Sequence, residues 1–242
     1  MVAVLTGAAW LAVVRRDPAP ATLSLSRPTR PALPVAAVWL VLAAALLCWL
    51  VALPGIDPDD ATPRGLLTGA PPTFAIALTL ALAGFLAALR VRSMAAAVSA
   101  LVLTGAVLRV TTALVSPEPM YDWTQKHLGV VDTFLTAGRI SGSVDIYHDW
   151  PGLFAASAWL SDASGVAPDE LALWFTGFIT VLTALAVHGL ARQLGADPWG
   201  AVVATYLFVV WNWIGQDYFA PQAIALLLRR ARAATGTGPR TT

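Results

Sequence analysis

Apolar and polar positions alternate in long blocks along this chain. Val35–Leu53 is 19 residues without a charge, and Thr73–Leu89 is 17. Met94–Val115 carries one charge, Arg109, and Leu171–Ala191 carries one ionisable residue, His188. Trp199–Gly215 is uncharged and bracketed by Asp197 and Asp217. A helix crossing a bilayer needs about 20 mainly apolar residues, so these five blocks predict five crossings. Met1–Val14 is apolar but short, with Arg15 and Arg16 behind it and no basic residue ahead. That is the reverse of a secretory signal, so it predicts a partial first span, shortened by a late start codon.

The expected fold is therefore an all-α, polytopic transmembrane helical bundle of five to six spans. Residues 1–115 form N-terminal transmembrane helices, 116–170 an extracytoplasmic loop, 171–228 further transmembrane helices, and 229–242 an aberrant basic tail. The tail begins where the apolar run Ala223–Leu228 stops after six residues, too few to span. This abrupt change predicts a truncated or frameshifted product of a longer membrane protein.

The long loop predicts structure of its own. Within Lys126–Leu135, positions 127, 130, 131 and 134 have helical spacing, and Gly138 can end that helix. Pro151–Leu160 is too short to span and suits an interfacial or re-entrant helix. A second polar cluster, WNWIGQDYFAPQ at Trp211–Gln222, emerges on the same side. The exposed tryptophans of both clusters are expected as interface anchors.

Composition agrees with the blocks. Apolar residues make up 57% and charged residues 12%, against about 45–50% and roughly 25% in soluble domains. Too little polar surface remains for a soluble globule, which excludes an ordinary cytosolic enzyme. Net charge is +1, so nothing steers a polyanion, and no nucleic-acid partner is expected. Arginines concentrate in alternate loops, which makes those loops cytoplasmic and places 116–170 outside a plasma membrane. The lipid bilayer is the implied partner.

Chemistry is sparse. Cys48 is the single cysteine, excluding an internal disulfide and a Cys-based metal site. The His127/Asp132 and His148/Asp149 pairs have no specific ligand spacing. No metal ligand is assigned, and a divalent metal stays open as a cofactor. Arg109 lies roughly two turns from the outer end of its block, placed either to snorkel or to hold a lipid phosphate from within.

At KHLGVVDTFLTAGRISGSVDIYHDWPGLFAASAWL and NWIGQDYFAPQ the sequence resembles actinobacterial polytopic membrane proteins of the GT-C glycosyltransferase type. The two segments make up 46 of the 242 residues. It implies a helical membrane bundle that transfers a sugar from a polyprenyl-phosphate donor on the extracytoplasmic face, with a loop carboxylate as base. Asp132 or Asp122 would be that base, with Asp145 as third candidate. Asp57, Asp59 and Asp60 match the family's acidic motif by position. Lys126, His127 and Arg139 would contact phosphate. Tyr147, His148, Gln216, Asp217 and Tyr218 would line the substrate site. The rival expectation is a non-catalytic subunit or scaffold of a polysaccharide assembly or transport system.

Overall fold

The computed structural model describes residues 34–60, 69–139, 146–211 and 217–235. The partial span expected at Met1–Val14 lies outside them, as do Asp145, Gln216 and the last seven residues. Among the described residues every regular element is helical. The helices are α1 (Val35–Ala52), α2 (Pro72–Arg90), α3 (Met94–Arg109), α4 (Thr111–Val115), α5 (Asp122–Ala137), α6 (Gly152–Ser164), α7 (Pro168–Gln193), α8 (Pro198–Val210) and α9 (Pro221–Thr235).

Among the described residues three helices are long and apolar enough to cross a membrane: α1 with its 3₁₀ extension to Gly55, α2, and α7. The other two expected spans are shorter. The block Met94–Val115 breaks at Val110 into α3, of 16 residues, and the five-residue α4. In the block Trp199–Gly215 the described helix is α8, Pro198–Val210, 13 residues, and residues 212–215 lie outside the described ones. At 1.5 Å per residue, these two reach about 24 and 20 Å.

Helix ends follow local chemistry. Pro72, Pro168 and Pro198 stand at first positions, where the missing N–H costs nothing. Ser93 accepts a bond from the Ala96 amide, and Asp197 from the Gly200 amide at 2.6 Å, each satisfying an orphan donor. Gly138 ends α5 at φ 60°, a left-handed conformation that favours glycine.

Packing joins α1 to α2, α2 to α3, and α8 to both α3 and α7. Gly84 lets α2 approach α1 so closely that a Cβ there would run into Leu42. The Phe85 and Tyr206 rings stack at 3.7 Å, and Tyr206 shares a hydrogen bond with Thr104. Trp49 on α1 donates its indole N–H to Thr111 at 2.9 Å, which ties down α4. A separate apolar core joins α5, α6, α7 and α9 around Phe134, Phe154, Phe175 and Phe219. Arg92, in the α2–α3 turn, lies over the Trp199 ring at the start of α8. That contact puts one set of helix ends together. The first turns of α5 and the segment before α9 meet at the opposite ends.

Helix α9 runs through the boundary expected at residue 229 and continues to Thr235. Arg230 on it lies over the Phe208 ring of α8.

Candidate functional site

Residue Arg109 is the last of α3, and Asp217 lies in the segment leading into α9. Their side chains pair at 3.0 Å and are 22% and 14% exposed. The guanidinium Nε is buried and has no hydrogen-bond partner. A half-buried charge pair inside apolar surroundings needs such mutual compensation.

This pair stands beside a cavity of about 330 Å³, with Tyr121, Thr124, Thr176 and Tyr218 on its walls. The Tyr121 and Tyr218 rings contact each other at 4.3 Å. Burial raises the Tyr218 hydroxyl above its ordinary pKa, and the neighbouring Tyr121 and Tyr147 add to this. Its hydroxyl is therefore a neutral hydrogen-bonding group at neutral pH.

Arg109 also lines a second cavity, of about 480 Å³, between α3, α7 and α8. Its other walls are almost wholly apolar, with Gly105, Ala106, Gly177 and Ala184 making room. Val102, Val181 and Leu185 on its rim are each more than half exposed, so it opens sideways between the helices. At its far end His188 faces Thr205 at 3.5 Å.

His127 is 0% exposed. Its Nδ1 lies 2.6 Å from the Phe219 carbonyl oxygen. A carbonyl only accepts, so Nδ1 carries the proton, and Nε2 is buried without a partner. The ring stacks on Tyr218 at 5.8 Å and meets Tyr147 and Phe154 edgewise or tilted. Burial holds His127 below its ordinary pKa; the Lys126 charge adds to that, and the Phe219 hydrogen bond opposes it. This neutral, enclosed imidazole secures α5 to the segment before α9. It presents nothing to a phosphate, unlike the contact the resemblance implied.

The other expected site residues separate into groups. Tyr147 packs on His127, and Lys126 places its ammonium 5.0 Å from the Tyr147 ring centroid and 5.6 Å from that of Trp123. His148 is buried against Phe134, with both ring nitrogens unpartnered, so it too is withdrawn from a ligand. Asp122 and Asp132 are exposed on α5, on the side away from Thr124, His127, Val131 and Phe134. Neither lines the Arg109 cavity. Arg139 lies elsewhere, on a third cavity of about 400 Å³ with Trp159 and Asp162. Asp59 and Asp60 lie in a 3₁₀ turn, Pro58–Asp60, and Asp57 just before it accepts from the Asp59 amide. Asp145 and Gln216 fall outside the described residues.

Sequence reading singled out Arg109 and Asp217 separately but did not join them. The available signal was two isolated opposite charges, each in an apolar context, since such charges seek each other. Tyr121, Thr124 and Thr176 carried no signal of their own. Among the described residues no three His, Cys, Asp or Glu side chains group as metal ligands.

Among the described residues the arrangement is all-helical, with three helices long and apolar enough to cross a membrane and a charge pair between an apolar crevice and a more polar cavity. No family model, curated protein or solved structure matches the chain.

Proposed function

We propose that the chain is a multi-pass protein of a plasma membrane, of the GT-C glycosyltransferase type, acting on a polyprenyl-phosphate sugar at the extracytoplasmic face. Helices α1, α2 and α7 cross the bilayer, and α3 and α8 are further inserted helices. Helices α5 and α6 lie at the outer surface.

One observation carries the reading: Arg109 lines both the apolar crevice and the more polar cavity. A lipid-linked phosphate has that same division, an apolar chain on one side of an anion and a polar sugar on the other. The crevice opens sideways through Val102, Val181 and Leu185, toward lipid. The polyprenyl chain enters there, the phosphate meets Arg109, and the sugar occupies the cavity with Tyr121 and Tyr218.

In the transfer, the acceptor hydroxyl oxygen bonds to the anomeric carbon as the bond from that carbon to the phosphate oxygen breaks. The hydroxyl proton passes to a carboxylate, and the bonding pair leaves with the phosphate, which remains on the lipid. Arg109 stabilises the charge gathering there. Asp217 is the carboxylate on the cavity wall, and its place favours it as base over Asp122 and Asp132.

A second reading is a non-catalytic membrane subunit of a polysaccharide assembly or transport system. The outward placement of Asp122 and Asp132 favours it. Radiolabelled sugar transfer in membranes decides between the two. Transfer by the chain, abolished in Arg109→Gln and in Asp217→Asn, supports the enzyme. No transfer from any polyprenyl-phosphate sugar supports the subunit.

A further inference from the structure

The charge pair has a consequence for how an anion could enter. Asp217 occupies Arg109 at 3.0 Å, and both side chains border the polar cavity. The guanidinium is not saturated, because its buried Nε–H has no acceptor. A guanidinium offers five donors in a rigid fork, and a phosphate has several oxygens to match it. The Asp217 carboxylate and an incoming phosphate would compete for that one cation.

Asp217 also begins a short segment with a second anchor. Two residues on, the Phe219 carbonyl takes the His127 Nδ1–H bond, and Pro221 then opens α9. The segment is thus held at one end by α3 and at the other by α5.

We infer that Asp217 is a built-in counter-ion which a phosphate-bearing ligand displaces from Arg109, loosening the Asp217–Ala220 segment as it binds. This rests on the reading of Arg109 as phosphate contact and deepens it. In the absence of ligand the carboxylate keeps the buried cation compensated, which an isolated charge in apolar surroundings would require. With ligand the phosphate supplies that compensation, and the carboxylate turns toward the cavity, where an acceptor hydroxyl would stand. A ligand without an anion has no means of opening the pair, so the device selects for an anionic group.

The chemistry at Arg109 is common to a lipid phosphate and to free phosphate, and the test separates them. The full chain in dodecyl maltoside micelles, which contain no phosphate, is titrated with dodecyl phosphate and with inorganic phosphate. Wild type is compared with Asp217→Asn and Arg109→Gln, with helix content checked by circular dichroism. Dodecyl phosphate is expected to bind wild type, to bind Asp217→Asn about tenfold more tightly, and to lose binding in Arg109→Gln, given the strength of charged hydrogen bonds. Weaker or unchanged binding in Asp217→Asn overturns the exchange. Inorganic phosphate is expected to bind weakly; if it equals dodecyl phosphate, the exchange stands and the lipid source falls.

A second measurement needs no variant. Hydrogen exchange at the Tyr218, Phe219 and Ala220 amides of wild type should quicken when dodecyl phosphate is added. Unchanged or slower exchange overturns the inference. Both readouts report binding alone, so exchange without sugar transfer leaves this inference standing and removes the glycosyltransferase reading.

Discussion

Replacing Arg109 by leucine should destabilise the protein more than replacing Arg109 and Asp217 together. At 3.0 Å and an effective dielectric of about 20, the gross attraction is roughly 5.5 kcal/mol. Removing both ions from water opposes most of that gain. Loss of one partner therefore costs more than the pair contributes, because the survivor stays in an apolar setting uncompensated. For fully buried pairs that cost is about 3–5 kcal/mol. Here 22% and 14% of the side chains remain exposed, so about 2–4 kcal/mol is expected. The double variant Arg109→Leu/Asp217→Leu removes both charges and should recover more than the Asp217→Leu loss by itself, at least about 2 kcal/mol of the summed single losses, so that it unfolds less readily than Arg109→Leu. The assay is denaturant unfolding in detergent, followed by circular dichroism, for all four members of the cycle. Additive single losses would refute the coupling, and with it the claim that Asp217 compensates Arg109.

Three further outcomes follow from other contacts. Gly84→Ala should cost about 1–3 kcal/mol through overpacking, since its Cβ meets Leu42; thermal unfolding checks this, and Leu42→Ala in the same chain should relieve it. Trp49→Phe should cost about 1 kcal/mol by removing the bond to Thr111, with unfolding of the two forms compared directly. His127 has its folded pKa below the ordinary value, so the unfolded chain binds more protons as pH falls. Stability is then full above about pH 6.5, declines as pH drops below it, and levels off below the folded pKa. A wild-type minus His127→Phe difference that rises toward acid pH would contradict this.

How much of this was legible depended on the kind of signal. The long blocks Val35–Leu53, Thr73–Leu89 and Leu171–Ala191 became α1, α2 and α7 because apolarity over that length leaves little choice but helix. The helix within Lys126–Leu135, ending at Gly138, came from period and a stop signal, and α5 extends it at both ends. The break at Val110 was not legible. No proline or glycine marks it, only the β-branched run Val110–Thr112, and it is fixed by distant partners such as Trp49. The helix past residue 229 was missed for a different reason. Hydropathy falls there, yet arginine and alanine are strong helix formers, and α9 continues to Thr235.

The site shows the same division. The burial of His127 was already in the pattern, because it shares a helical face with Val130, Val131 and Phe134. The opposite face, with Asp122 and Asp132, follows from the same period. The resemblance implies phosphate contact and catalysis for these residues, and the structure buries His127 and leaves Asp122 and Asp132 exposed. The Arg109–Asp217 pair is tertiary, and only the fold brings the end of α3 to the segment before α9.

The central claim is that a lipid phosphate docks at Arg109 with its chain in the crevice between α3, α7 and α8. A photoactivatable alkyl phosphate, carrying its reactive group along the chain, tests this most directly when crosslinked to the full chain and the adducts mapped. The account predicts adducts at Val102, Ala106, Val181 and Leu185, removed by excess polyprenyl phosphate and lost in Arg109→Gln. Adducts spread over the exposed side chains of α1, such as Leu40 and Leu47, and insensitive to Arg109→Gln would contradict it.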